Sequence, residues 1–496
     1  MRAGLVIGSA VTALVVAATA VYVWARPATD TVTVGLTEPA SLLPGLVDDA
    51  AGRLVTGALW TPLTEVDAAG RPVPRLAESV TSPDQRIWTV RLRPGWRFHD
   101  GTAVTAASVA GAWRANLTEG WRGAGLLVDI LRVRGARPGA ADVPGLRIAD
   151  ERTVEVTLDE PFAELPLVLS APALQPLPEQ VLASRDWTGF ATRPVGTGPY
   201  RLAGPWRAGQ GASLVRFDGY AAAAPAKARL DLRVQDPATQ YDRARAGDLD
   251  LATEVPTEQH ESMGRTFGAR NRTWPLAETT YLGFAAADPR FAGPAVRRAI
   301  SLALDRSAMA TGPLGHRVSP LTALVPPAVP GARAAACLAC HHDEVAARAA
   351  LAEAGGLPAT PVHLWYGPTH AAWVDTFASQ LARALGTTVQ PERLGGQPPT
   401  DGLLLIDHTV AYPSPYPILT SLVAGRDPEL DRLRTTAAAN PDPDARLRDY
   451  RLAENIALRD LPVIPLWSRH GHAVWSTRIT TVTDTPLSAP MLDRTR

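Results

Sequence analysis

Cys337-Leu338-Ala339-Cys340-His341 is the one run in this chain whose residue types and spacing match a named chemical motif. C-x-x-C-H is the attachment pattern of c-type haem. The same spacing allows a local disulfide in an oxidising compartment, or a pair of free thiols. Zinc fits poorly, because the adjacent His341 and His342 lack the usual ligand spacing. The two cysteines are the only ones in the chain. A disulfide is the leading reading, and its loop is so short that it should contribute less than the roughly 3 kcal/mol of a 15-residue loop. No G-x-S-x-G elbow, H-E-x-x-H pair, Walker loop or dinucleotide fingerprint is present. His260-Glu261 lacks the second histidine of a zinc protease.

The elements that would position any site can be read from periodicity. Val32 and Val34 alternate with threonines as a short opening strand. Trp88, Val90 and Leu92 predict a half-buried strand ended by Pro94-Gly95, and His99-Asp100-Gly101-Thr102 predicts a turn. Thr105 stands where an N-cap belongs, with Val109, Trp113 and Leu117 following at helical spacing. Val154, Val156 and Leu158 predict another strand, closed by Pro161. Leu165 to Pro178, broken by four prolines, reads as an irregular packed segment.

Further on, Val296, Ile300 and Leu304 place a helix over Arg297 to Asp305. Asp305-Arg306 would end it as a local charge pair of small worth. Asp343 should cap a helix running to Ala354, with Gly355 at C′. A helix from about Asp444 to Asp460 precedes a strand from Val463 to Trp467. This alternation argues for α/β layers.

At 496 residues the chain exceeds one ordinary core, and two or three lobes are expected. Apolar residues at 46% and charged ones at 20% describe a globular chain. Lys+Arg and Asp+Glu balance at 49 each, so no net field draws it to nucleic acid or anionic lipid. An uncharged run, Ala3 to Ala25, lies between Arg2 and Arg26. It has the length of a membrane-crossing helix, which needs about 20 residues. Ala18-Thr19-Ala20 equally suits a signal-peptide cleavage site, whereas Trp24 and Arg26 suit the edge of an anchor. Either way the remainder is exported, and no cysteine near the run is available for lipid attachment.

Five collinear segments carry a resemblance. They are Arg71–Val80 with Leu92–Val109 (LRPGWRFHDGTAVTAASV), Pro194–Leu202 (PVGTGPYRL), Leu282–Arg306, Ala346–Gly355, and Leu458–Leu466 (LRDLPVIPL). Together they are similar to the extracytoplasmic solute-binding proteins of peptide and nickel ABC importers. The signatures read as scaffold: Asp100-Gly101 as a turn dipeptide, Gly196 and Gly198 as a tight backbone path. The resemblance implies an α/β, cluster-C periplasmic-binding fold of two hinged lobes. Residues 1–29 would be signal peptide or anchor. Lobe one would span 30–272 with an inserted subdomain at about 54–193, lobe two 273–466, and 467–496 would return to lobe one. Hinges are expected near Trp274 and Trp467.

The same resemblance implies a monomer that binds a peptide or other small solute and delivers it to an ABC permease, with no catalytic residue, cofactor or metal. Relatives hold a peptide amine with an Asp ahead of a Tyr/Asn-Pro-Asp-Pro-like segment; here Ala411 precedes Tyr412-Pro413-Ser414-Pro415. Ala411 cannot bind an amine, and Asp407 is the available substitute. Trp365 and Tyr366 match a pocket-lining segment of relatives and are candidates for stacking on ligand, with Tyr412 and His408 next. A membrane-tethered sensor built on the same fold, and a c-type haem protein, are the rival readings.

Overall fold

The computed structural model of the protein describes residues 30–67, 69–358, 360–484 and 490–496. The apolar run Ala3 to Ala25 lies outside the described residues. Among the described residues no helix is long and apolar enough to cross a membrane.

An eleven-stranded mixed sheet runs through the molecule. At one end Val362–Tyr366 pairs in parallel with Val389–Arg393 and Leu403–Thr409. At the other, Thr31–Leu36 pairs in parallel with Arg229–Val234 and Leu251–Ala252. Parallel neighbours need crossover connections, and the intervening helices supply them. Two long antiparallel strands, Asn271–Phe284 and Ile464–Trp475, join the ends. Their ladder pairs Asn271 with Val474 through to Pro275 with His470, and resumes at Thr279 with Ser468. Three residues, Leu276 to Glu278, therefore stand opposite Arg469 alone. A bulge of this kind bends the strand and interrupts its ladder.

Beside the main sheet lies a four-stranded antiparallel sheet in the order Ala77–Thr81, Ile87–Leu92, Thr153–Thr157, Leu146–Asp150. The helix Ala106–Thr118 packs on its last two strands. Thr105 caps that helix in a reciprocal capping box with Ser108, which satisfies two otherwise orphaned donors. Asp343 likewise caps Glu344–Glu353, and Gly355 follows with φ +86°. That left-handed conformation is one glycine takes without a Cβ penalty.

Three sequence expectations need correction. The helix set at Arg297 to Asp305 spans Pro294–Ala303. Asp305 does not end a helix but caps the next one, Arg306–Thr311, accepting from the Ala308 N–H. Arg306, 3% exposed, makes no charge pair with it; its guanidinium donates to the carbonyls of Ser301, Cys340 and Pro465. A buried guanidinium must spend its donors somewhere, and the local backbone takes them. The strand set at Val463 to Trp467 continues to Trp475, because its second half pairs with Asn271–Pro275. The proline-broken stretch 165–178 holds a short helix, Leu165–Val168, and a 3-10 turn, Pro172–Leu174. Cys337 and Cys340 are both buried and bonded to each other, with Cα atoms 5.3 Å apart.

His99 and the Pro194–Leu202 segment lock together. The Gly196 N–H donates to His99 Nδ1 at 3.1 Å, so the ring proton lies on Nε2 and is given to the Gly198 carbonyl at 3.1 Å. A Cβ on Gly196 would sit 1.9 Å from the Leu59 carbonyl oxygen, and one on Gly198 2.5 Å from the Leu59 carbonyl carbon. Gly196→Ala should therefore lower stability in urea unfolding by about 3 kcal/mol or more. Gly57→Ala, in an exposed helical position with no atom within 4 Å of the new Cβ, should be neutral or stabilising by about 0.5–1 kcal/mol.

Burial holds the His99 imidazole down to about 4, against the Gly198 bond, which favours the charged form. Burial also lowers His408 to about 4 and His472 to about 3. The unfolded chain, titrating near the ordinary value of about 6.5, takes up protons that the folded chain refuses. Stability should therefore be lost as pH falls from about 6.5 towards 4. Melting temperatures recorded across that window should fall, and His99→Gln should flatten the slope.

Candidate ligand-binding cleft

A cleft of about 1280 Å³ lies beside the end of the strand Leu403–Thr409. One wall comes from the helix Ala50–Leu59, the ribbon around Glu65 to Gly70, the segment Arg122–Ile130 and the turn Ser170–Gln175. The opposite wall comes from Pro327–Pro330, Asp407–Pro413, Thr420 and Ser421. Residues Asp484 and Met491–Arg494 complete the rim. The volume exceeds that of drug-sized pockets, roughly 300–1,000 Å³, and suits a short oligomer.

Asp407 stands near the end of Leu403–Thr409, paired with Thr280 of the crossing strand. Its Oδ1 accepts from Thr280 Oγ1 at 2.8 Å and lies 3.0 Å from His370 Nε2, and its Oδ2 accepts from Thr369 Oγ1 at 3.0 Å. Burial pushes the Asp407 carboxyl up, but the His370 and threonine contacts outweigh it and hold it below its ordinary range. The charge is present and partly engaged by two threonine hydroxyls, while the side chain stays 49% exposed.

The neighbouring His408 is fixed in one tautomer. Ser421 Oγ gives its single proton to the Pro417 carbonyl at 2.8 Å, the backward bond a helical serine commonly makes. Its 2.8 Å contact with His408 Nε2 therefore requires the histidine to donate. With its pKa at about 4, His408 is neutral at pH 7 and offers Nδ1 as an acceptor. Tyr412 is fully buried in the same wall and contributes its ring. Ala411 lies between these groups and presents only a methyl.

Trp365 and Tyr366 are placed elsewhere. Both lie on Val362–Tyr366, outside the cleft lining. Trp365 donates Nε1–H to the Asp401 carbonyl at 2.8 Å and meets His363 edge-on. Asp407, His408 and Tyr412 are thus brought together, and the two aromatics are not.

Two lining residues have no local sequence signal. Arg53 bonds Glu278 at 2.7 Å and the Asp48 carbonyl at 2.7 Å, and Glu278 also takes Arg469 at 3.2 Å. This cluster ties the first wall to the bulged crossing strands, through partners 225 and more residues distant in sequence. Gln175 is 4% exposed, and among the described residues its Oε1 has no hydrogen-bond partner. A buried amide left unpaired costs about 1–3 kcal/mol, which marks it as a group kept for something other than stability. No group of three or more potential metal ligands occurs among the described residues.

Comparison with known proteins matches this geometry. Residues 71–423 fit the family described as bacterial extracellular solute-binding proteins, family 5 middle. The probable D,D-dipeptide-binding periplasmic protein DdpA of Escherichia coli is 27% identical over 78% of this chain and 77% of its own. The glutathione-binding protein GsiB of Shigella dysenteriae is 28% identical over 78% of this chain and 73% of its own. Among solved structures, the murein tripeptide binding protein MppA of Escherichia coli superposes with a TM-score of 0.77 at 20% identity, covering 95% of this chain and 98% of that one. Haemophilus parasuis HbpA2 does so with a TM-score of 0.78 at 18% identity, covering 94% and 99%. Those structures establish the mixed α/β periplasmic-binding fold over nearly the whole chain, and the match over residues 71–423 makes the protein a member of the bacterial extracellular solute-binding proteins, family 5.

Proposed function

We propose that this protein captures a peptide or peptide-like solute in the cleft and hands it to an ABC permease in the membrane, with no chemistry beyond binding. The carrying observation is the 1280 Å³ cleft between the segments 47–75, 122–130 and 170–175 on one side and Pro327–Pro330 with Asp407–Pro413 on the other, in a molecule whose main sheet is joined across by the bulged strands Asn271–Phe284 and Ile464–Trp475. Residues 30–272 and 467–496 would form one lobe, with the insert at about 54–193, and residues 273–466 the other. The bend would lie at Leu276–Glu278 opposite Arg469, where a ladder already interrupted can flex at low cost. Residues 1–29 would export the chain as signal peptide or anchor, and the Cys337–Cys340 bond would form in that oxidising compartment.

Ligand would be read by the wall Asp407–Tyr412 on one side and by Gln175 on the other. Asp407 is engaged by Thr280, Thr369 and His370, and Ala411 offers no charge. A free amine would meet on this wall only the partly engaged carboxylate of Asp407. His408, neutral and with a buried, unpartnered Nδ1, would accept an amide N–H or a hydroxyl from a solute that reaches into the wall.

Native mass spectrometry of the protein purified from its own host should show a bound solute of peptide size. A chain that carries none, and whose melting temperature is unmoved by cell extract or peptide pools, contradicts the reading. With the identified solute, His408→Ala should weaken binding at least tenfold, about 1.4 kcal/mol. Trp365→Ala and Tyr366→Ala should leave calorimetric affinity within about twofold. The reverse pattern would move the site to Val362–Tyr366.

A further inference from the structure

After the strand Thr153–Thr157 the insert sends a loop across to the other half of the molecule. Phe162 meets Tyr416 edge-on with ring centroids 5.0 Å apart, and the Ala163 N–H donates to the Ala438 carbonyl at 2.6 Å. Glu164 reaches deepest and is 2% exposed. Its carboxylate accepts from Ser414 Oγ at 2.7 Å and from the Arg446 Nε at 3.1 Å. The hydroxyls of Tyr412 and Tyr450 face the same carboxylate but are not in hydrogen-bond geometry with it. Every partner of this carboxylate comes from the half opposite to its own.

The receiving groups continue the ligand wall. Tyr412 and Ser414 flank Pro413, the last residue of the lining run that starts at Asp407. Ser414 Oγ also accepts the Tyr416 N–H at 3.1 Å, so its proton is free for Glu164 and its lone pair holds the turn. A buried carboxylate–guanidinium pair contributes little net stability, because desolvation offsets its attraction, yet removing one member strands the other charge. When the halves part, both groups regain water. When they meet, only one arrangement of the turn accommodates both.

We propose that Glu164 is a positioning residue supplied by the insert, docking beneath the Tyr412–Ser414 turn on closure so that the ligand wall takes its binding shape only when the two halves meet. This rests on the two-lobe reading above. Closure and wall order are then one event, and a solute held by the wall favours the closed form.

Hydrogen-exchange mass spectrometry and small-angle scattering on the full chain without added ligand test it. Glu164→Gln should speed exchange of the Ser414 and Tyr416 amides, which bond within the turn, about tenfold and enlarge the radius of gyration, leaving Thr31–Leu36 protected as before. Glu164→Gln combined with Arg446→Met removes the stranded cation and should recover melting temperature while the wall stays unprotected. Wild-type protection of those amides in both variants overturns the proposal. So does protection that recovers in step with melting temperature, which marks a merely structural contact. A wild-type chain that binds no solute would sink the transport reading while leaving this exchange result to stand or fall alone.

Discussion

The architecture depends on one pairing, that of Asn271–Phe284 with Ile464–Trp475. These strands give two otherwise separate parallel arrays a common sheet, and they are the longest strands described. Their ladder is broken in the middle, where three residues oppose one, and shifts register again between Thr280 and Tyr281. A ladder stabilises only where its hydrogen bonds are regular, so the break concentrates compliance at Leu276–Glu278. Glu278 at that bulge is held by Arg53 and Arg469 at once. Arg53 of that ion cluster also lines the cleft.

The site around this hinge suits reversible binding rather than bond-making. The His408 imidazole, lowered by burial to about 4, is a weak base. Asp407 is partly engaged by the protein's own groups. Buried atoms without partners in the cleft wall, among them Gln175 Oε1, His408 Nδ1 and the Tyr412 hydroxyl, are hydrogen-bonding groups. The family to which the chain belongs is one of extracellular solute binding.

Local elements were legible in the sequence because their signals are local. Thr105 and Asp343 cap where their spacing to apolar positions required, and Gly355 ends its helix as predicted. Asp305 misled because an Asp between two apolar runs can close one helix or open the next, and only the buried Arg306 network decides between them. The strand from Ile464 was read short since its second half, Ser468–His472, is polar and is held by pairing with Asn271–Pro275. At the site, Asp407, His408 and Tyr412 were visible as a run on one strand and its following loop. Arg53, Glu164 and Gln175 were not, because the partner of Glu164 lies 250 residues away and that of Arg53 225. Trp365 and Tyr366 have the chemistry of ligand-stacking rings, but their strand stands behind the cleft wall.

All of this supposes that the two halves move against each other about the bulged strands. Spin labels at Ile148 and Leu452, both exposed and on opposite halves, report it directly once Cys337 and Cys340 are replaced by Ser. Double electron–electron resonance should give both a long and a short distance in the empty protein and the short one alone with the co-purifying solute bound. A single distance, unchanged by solute, would mean one rigid body and would contradict the account.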